Sequence, residues 1–102
     1  MSHPQVVLQV KFKSALPVDK AMEIAHDRMD DFRALKGLKQ KYYLYDPATE
    51  EICGLYLWDS PEALDEYRQS ELRATIAAAY QATGEPQVQV FKVLAPLRDQ
   101  ML

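Results

Sequence analysis

The chain has one cysteine, three glycines and two histidines in 102 residues, and each scarcity closes off a class of chemistry. Cys53 alone cannot make an internal disulfide, so the fold must be held by its core. Gly37, Gly54 and Gly84 are isolated, which leaves no Gly-rich loop for a nucleotide phosphate and no motif for bound NAD or FAD. His3 stands near the terminus, His26 is alone in a helical stretch and Cys53 has no ligand partner close in sequence, so no metal site is predicted. The longest unbroken apolar run, Ile76 to Tyr80, has five residues, against about 20 for a membrane-spanning helix. Met1-Ser2-His3-Pro4 lacks the basic and apolar regions of a secretory signal, and the expected compartment is the reducing cytoplasm. Positive charge is scarce too: twelve Lys and Arg face fifteen Asp and Glu for a net charge of -3, which argues against a nucleic-acid partner.

What is present reads as one packed soluble domain over residues 1–102, with 48% hydrophobic and 26% charged residues. Val6, Leu8, Val10 and Phe12 alternate with Val7, Gln9 and Lys11, the period of a half-buried strand. Pro17, then Asp19 and Glu23, predict a helix start, and Gly37 after Arg33 and Lys36 a stop, giving a helix over about 17–35. Val18, Met22, Ala25, Met29 and Phe32 form its expected apolar stripe, with Asp27, Asp30 and Asp31 on the solvated side. Leu38–Tyr45 and Ile52–Trp58 predict a hairpin around Asp46-Pro47-Ala48-Thr49.

Ser60 followed by Pro61 and Glu62 marks a second helix start. Ala63, Leu64 and Tyr67 share one stripe there, whereas Leu72, Ile76 and Ala79 fall roughly 140° away at 100° per residue. One straight helix cannot bury both sets, which predicts a break near Ser70 and a displaced piece over about 71–81 that could act as a lid. Gly84-Glu85-Pro86 is read as the end of that region, and Val88, Val90, Phe91 and Val93 as a last strand before a tail with Leu97 and Arg98. The order β-α-β-β-α-β is the ferredoxin-like α+β arrangement, with a four-stranded antiparallel sheet and both helices on one face. Its other face is bare, and a homodimer is the expected way to cover it.

Each candidate site residue has a plainer structural reading beside the functional one. Cys53 in an apolar strand is expected to be a small core residue, because such surroundings raise a thiol's pKa. His26 stands about 90° from the centre of the helix stripe, at a margin where it is either a partly exposed surface residue or a general base feeding a pocket. Tyr42, Tyr43, Tyr45, Tyr56 and Trp58 are concentrated in the hairpin, with Tyr67 and Tyr80 beyond it. They either fill the core and an interface or wall a small-molecule pocket. Lys11, Lys13, Lys39, Lys41 and Lys92 fall in predicted strands, where they reach solvent or supply a local positive field for an anionic ligand.

Three stretches carry a family resemblance: Gly37-Leu38-Lys39-Gln40-Lys41-Tyr42-Tyr43-Leu44, Gly54-Leu55-Tyr56-Leu57-Trp58-Asp59-Ser60, and Val90-Phe91-Lys92-Val93-Leu94. From about residue 6 to 98 the chain resembles the YdhR-type mono-oxygenases of the dimeric α+β barrel superfamily, alongside the antibiotic-biosynthesis monooxygenases. Lys41 and Tyr43 match the family's Lys-x-aromatic pattern. Gly54, Tyr56, Leu57 and Trp58 keep the pattern of the next strand, with Cys53 in place of its first glycine. Related oxygenases place Asn, Trp and Tyr around a quinone-like substrate, and this chain has no Asn. Haem-degrading relatives carry a His on the second helix, and residues 59–84 contain none.

The resemblance implies a dimeric α+β barrel that oxygenates a small aromatic, phenolic or quinol-like substrate without a cofactor, the substrate anion handing an electron to O₂. His26 or Tyr43 would be the base, Lys41 would favour the substrate anion, and Tyr56, Trp58 and Tyr67 would form pocket walls. The alternative is a non-enzymatic small-ligand-binding or dimerisation module on the same fold. A third reading, an isomerase or cyclase, needs a base and an acid converging on one cavity. A titratable group meeting a hydrophobic wall would favour the enzyme, and a space filled by Met22, Met29, Phe32 and Trp58 the module.

Overall fold

The computed structural model of the chain describes residues 3–98, so Met1 and Ser2 of the N-terminal stretch lie outside the described residues. Its elements are β1 (Val6–Ser14), α1 (Val18–Arg33), β2 (Leu38–Asp46), β3 (Glu51–Trp58), α2 (Pro61–Arg68), α3 (Glu71–Ala74), α4 (Ile76–Ala79) and β4 (Ala82–Lys92). The strands form one sheet in the order β2-β3-β1-β4, with every neighbouring pair antiparallel. This is the ferredoxin-like α+β arrangement expected from the element order.

Alternation assigns the two faces. Val6, Leu8, Val10 and Phe12 of β1 are buried and pair with Trp58, Tyr56, Gly54 and Ile52 of β3 on the helix side. Val7, Gln9 and Lys11 pair with Leu57, Leu55 and Cys53 on the open side. Cys53 is buried there, and burial pushes its thiol above its ordinary pKa. Lys11 is held by Asp46 at 2.7 Å and by Glu51 at 3.9 Å. That lysine answers local carboxylates.

Helix α1 begins at Pro17, which takes the cap position without a side-chain hydrogen bond, and ends with Arg33 in its last turn. Its buried residues are Ala21, Ala25 and Phe32, a stripe rotated from the expected one, and Val18 is 45% exposed. Small alanines facing the sheet leave room for the large aromatics below, while Met22 and Met29 border cavities. The rotation draws Arg28 into the inward-facing series 21, 25, 28, 32. Asp27, Asp30 and Asp31 are exposed, as expected.

The second helical region is broken where the two stripes conflict. The Ser60 hydroxyl accepts from the Ala63 N–H at 3.1 Å to start α2, and Ser70 accepts from the Arg73 N–H at 3.2 Å to start α3. The single displaced piece expected over 71–81 is two short turns, α3 and α4, joined at Thr75. Ile76 and Tyr80 are buried in the main core, so this segment seals the domain. Gln81 adopts φ 50° and turns the chain directly into β4, which starts at Ala82, six residues before the expected Val88. Gly84-Glu85-Pro86, read from sequence as a terminator, lies inside β4 at the register shift opposite Lys11 and Lys13. An edge strand tolerates a proline at such an irregularity.

Candidate functional site

One irregularity of β2 builds the site. Leu38 opposes Trp58 on β3 and Gln40 opposes Leu57, so Lys39 is the extra residue of a bulge. Strict alternation from Leu38 would send Lys41, Tyr43 and Tyr45 to the open face. The bulge instead aligns Lys41 with Tyr56, Tyr43 with Gly54 and Tyr45 with Ile52, all on the helix side.

There the Lys41 amine meets three aromatic faces. Its Nζ is 3.5 Å from the Phe32 ring centroid, 4.4 Å from that of Tyr43 and 4.5 Å from that of Tyr56. Among the described residues no carboxylate lies within ion-pair distance of it. Desolvation by burial, with Arg28 adding like-charge repulsion, brings its pKa from 10.5 down to about 7. The ring faces act in the opposite sense, attracting the ammonium form. This amine can therefore change protonation near neutrality while its cationic form still has a seat.

A cavity of about 410 Å³ opens between the C-terminal half of α1 and β2, with Met29, Phe32, Arg33, Lys39, Lys41 and Tyr43 among its lining residues. Tyr43 also borders an apolar pocket of about 140 Å³ beside Met22, Ala25, Leu44 and Tyr80. The centre of the core is nearly filled, with about 20 Å³ left among Lys41, Tyr43, Tyr56, Ile76 and Tyr80. A second space of about 410 Å³ lies near Lys13, Pro17, Tyr45 and Glu50. It lacks a buried titratable group, and the Lys41 cavity is the chemically equipped one.

Four phenols surround the amine or support it, and burial raises the pKa of each. Tyr43 is raised by desolvation, against the pull of Arg33 and Arg28. Tyr56 is raised well above its ordinary value by burial and by Tyr67. Tyr67 is also raised by burial, and Tyr80 reaches about 12 for the same leading reason. All four hold their protons at neutral pH, so each hydroxyl keeps an O–H to offer. The Tyr67 hydroxyl donates to that of Tyr56 at 3.4 Å. Gly54 makes room for this arrangement, because a Cβ there would lie 2.8 Å from Cε1 of the Tyr56 ring.

The residues singled out from sequence separate into layers. Lys41 and Tyr43 line the cavity, and Tyr56 supports Lys41 from β3. Trp58 is fully buried, stacked on Tyr56 at 6.4 Å with an interplanar angle of 6° and packed against Tyr67 at 5.1 Å. Neither Trp58 nor Tyr67 is among the lining residues of the Lys41 cavity, and both back Tyr56 from within the core. His26 is exposed on α1 and is not among the lining residues of the Lys41 cavity.

Sequence reasoning missed Phe32 as a wall, Arg33 as a rim cation, and Arg28, whereas Lys39 was among the strand lysines read as a source of positive field. Arg28 Nη2 donates to the Leu72 carbonyl and to Thr75 Oγ1, both at 3.0 Å, tying α1 to α3 and the start of α4. Its Nε is buried without a partner among the described residues. The available signal was a charged residue at helical spacing between Ala25 and Phe32. Among the described residues no three His, Cys, Asp or Glu side chains converge as a metal-binding group. No helix there is long and apolar enough to cross a membrane.

A four-stranded antiparallel sheet covered by helices on one face defines a ferredoxin-like α+β domain, with a lysine-bearing aromatic cavity at its side. The chain belongs to the family described as "Putative mono-oxygenase ydhR", which matches residues 7–100. Its fold is shared with Rv0793 from Mycobacterium tuberculosis, at 19% identity and a TM-score of 0.71 over 91% of this chain and 98% of that one. SnoaB, a cofactor-independent oxygenase from Streptomyces nogalater, superposes with a TM-score of 0.73 at 12% identity, covering 94% and 99% of the two chains. A "putative antibiotic biosynthesis monooxygenase" from Caulobacter crescentus gives 0.72 at 15% identity over 91% and 92%. No curated protein matches the chain in sequence.

Proposed function

We propose that this protein is a cofactor-independent mono-oxygenase of small phenolic or quinol-like aromatics, working in the cavity between α1 and β2. The observation that carries this reading is the Lys41 amine, desolvated on the faces of Phe32, Tyr43 and Tyr56 in the wall of that cavity. Neutral Lys41 takes the proton of the substrate hydroxyl, and the resulting ammonium stays beside the new oxyanion as its counter-ion. One residue thus serves as base and as electrostatic stabiliser. Tyr43, with its raised pKa, is assigned as a proton donor to a substrate oxygen, and Tyr56, Trp58 and Tyr67 as the dry backing of the wall. His26, exposed on α1, is assigned no part in the proton transfer.

The substrate anion then gives one electron to O₂, and the radical pair combines at a ring-activated carbon. For a methylene flanked by aryl groups, the hydroperoxide so formed loses water to leave a carbonyl: CH₂ plus O₂ gives C=O plus H₂O. The protein binds, deprotonates and excludes bulk water, while the electrons come from the substrate.

We further propose a homodimer formed through the open face of the sheet. Val7, Leu55 and Leu57 make its centre, and Leu44 and Phe91 are each 46% exposed around it. Apolar exposure of that kind on one contiguous face is what a second copy would cover. A reducing cytoplasmic setting suits the free Cys53 thiol.

The test is oxygen uptake on a panel of quinols and polyphenols first selected by thermal shift, with Lys41→Met as the paired control. Uptake that needs Lys41 supports the assignment. Stabilisation by the ligands without uptake would make the protein a binding module.

A further inference from the structure

The charge of the cavity narrows its substrate. Arg33 from the last turn of α1, Lys39 from the bulge and Lys41 all line it, and no lining residue is acidic. This positive field belongs to a chain whose net charge is -3, and among the described residues the acidic side of α1 reaches it only through Asp30 beside Arg33. The bulge at Lys39 adds a lysine to the rim at the same point where it turns Lys41 inward. In the proposed chemistry Lys41 is engaged by the substrate hydroxyl, so Arg33 and Lys39 remain for a second group.

We propose that the substrate carries a carboxylate on its ring system, which Arg33 and Lys39 receive at the rim while the hydroxyl faces Lys41. This rests on the cavity being the phenol site described above. Arg33 already bridges Asp30 at 2.7 Å, but that pair is exposed and screened by water. The guanidinium also has five N–H donors, enough for a second carboxylate. Met29 and Phe32 supply the apolar wall between the two ends.

Calorimetric titration of the whole protein with 6-hydroxy-2-naphthoate and with 2-naphthol, at low ionic strength, tests this. The naphthoate is expected to bind about tenfold more tightly. In the Arg33→Gln/Lys39→Gln double variant the ratio of affinities falls to about one, and raising salt lowers it in the wild type. Equal affinities in the wild type, a preference that survives the double substitution, or no binding of the naphthoate would each overturn the proposal. Oxygen uptake from 1,4-dihydroxynaphthalene and from its 2-carboxylate, corrected for the enzyme-free rate, separates this proposal from the oxygenase reading. A Lys39- and Arg33-dependent carboxylate preference without uptake keeps the rim site and removes the oxygenase. Equal uptake efficiency from the two quinols keeps the oxygenase and removes the rim site.

Discussion

Lys41 and Phe32 meet across the strand–helix interface with the amine nitrogen 3.5 Å from the ring centroid. Among the described residues the lysine has no carboxylate partner, and the phenylalanine closes the cavity wall beside the amine. Such an amine destabilises the fold in its charged form and becomes chemically useful for the same reason.

The stability consequence has a definite sign. The Lys41 pKa is about 7 in the fold against an ordinary 10.5, so between those values the unfolded chain binds the extra proton. Stability from this group therefore rises with pH from about 7 to about 10.5, by up to about 1.4 kcal/mol per pH unit. Lys41→Met removes the proton and the slope. The wild-type-minus-variant difference in urea unfolding free energy should climb across that window, with the variant the more stable at pH 6.

The catalytic profile should have the same origin. If the neutral amine is the base, as proposed, oxygen uptake per active site is expected to rise with pH through about 7 and then level. Lys41→Arg keeps the charge and cannot deprotonate. It should lose about 10²- to 10⁴-fold in kcat/KM and lose the limb near neutrality, which pH–rate measurements on both proteins would check.

Gly54→Ala should strain the site from below. The added methyl group meets Tyr56 Cε1 at 2.8 Å and its Cζ and Oη at 3.3 Å, and that ring is packed against Trp58 and Tyr67. A loss of about 1–3 kcal/mol is expected in chemical denaturation. The amide resonances of Tyr56 and Lys41 should shift in the folded variant.

Arg28→Met should loosen α3 and α4 selectively. The two 3.0 Å bonds to Leu72 and Thr75 vanish, at a cost of about 1.5–3 kcal/mol for hydrogen bonds from a charged donor. Hydrogen exchange should accelerate at residues 71–79 and stay unchanged in β1 and β3. Removing the guanidinium also relieves its repulsion of Lys41, so the catalytic limb should move to higher pH.

Leu44→Asp and Phe91→Asp place charge on the open face at residues already 46% exposed. Each monomer should therefore fold as before. Light scattering after gel filtration should give a dimeric mass for the wild type and a monomeric mass for the double variant.

The parts of this fold legible in sequence were those specified by local pattern. The alternation of Val6, Leu8, Val10 and Phe12, the Ser60-Pro61 start and the conflicting stripes on either side of Ser70 each have a single geometric solution. The phase of α1 did not, since Val18-Met22-Ala25-Met29-Phe32 and Ala21-Ala25-Arg28-Phe32 both satisfy helical spacing and tertiary packing chose between them. The start of β4 was hidden because Gly84-Glu85-Pro86 reads locally as a turn. In the site, Lys41 and Tyr43 could be picked out by their resemblance to the family's Lys-x-aromatic pattern, but not the wall opposite. The bulge at Lys39 leaves no mark where Tyr42, Tyr43 and Tyr45 make both faces look apolar, and the meeting of Lys41 with Phe32 depends on how far α1 slides over the sheet.

The interrupted ladder of β4 also bears on how copies of this chain avoid one another. Gly84 at φ 83° and Pro86 fall within the strand on the sheet's outer margin, and a proline offers no amide proton to an incoming strand. A neighbour trying to extend the sheet sideways finds a broken template, which discourages fibrillar stacking. Straightening this stretch with Gly84→Val and Pro86→Thr would trade that protection for a continuous sticky margin.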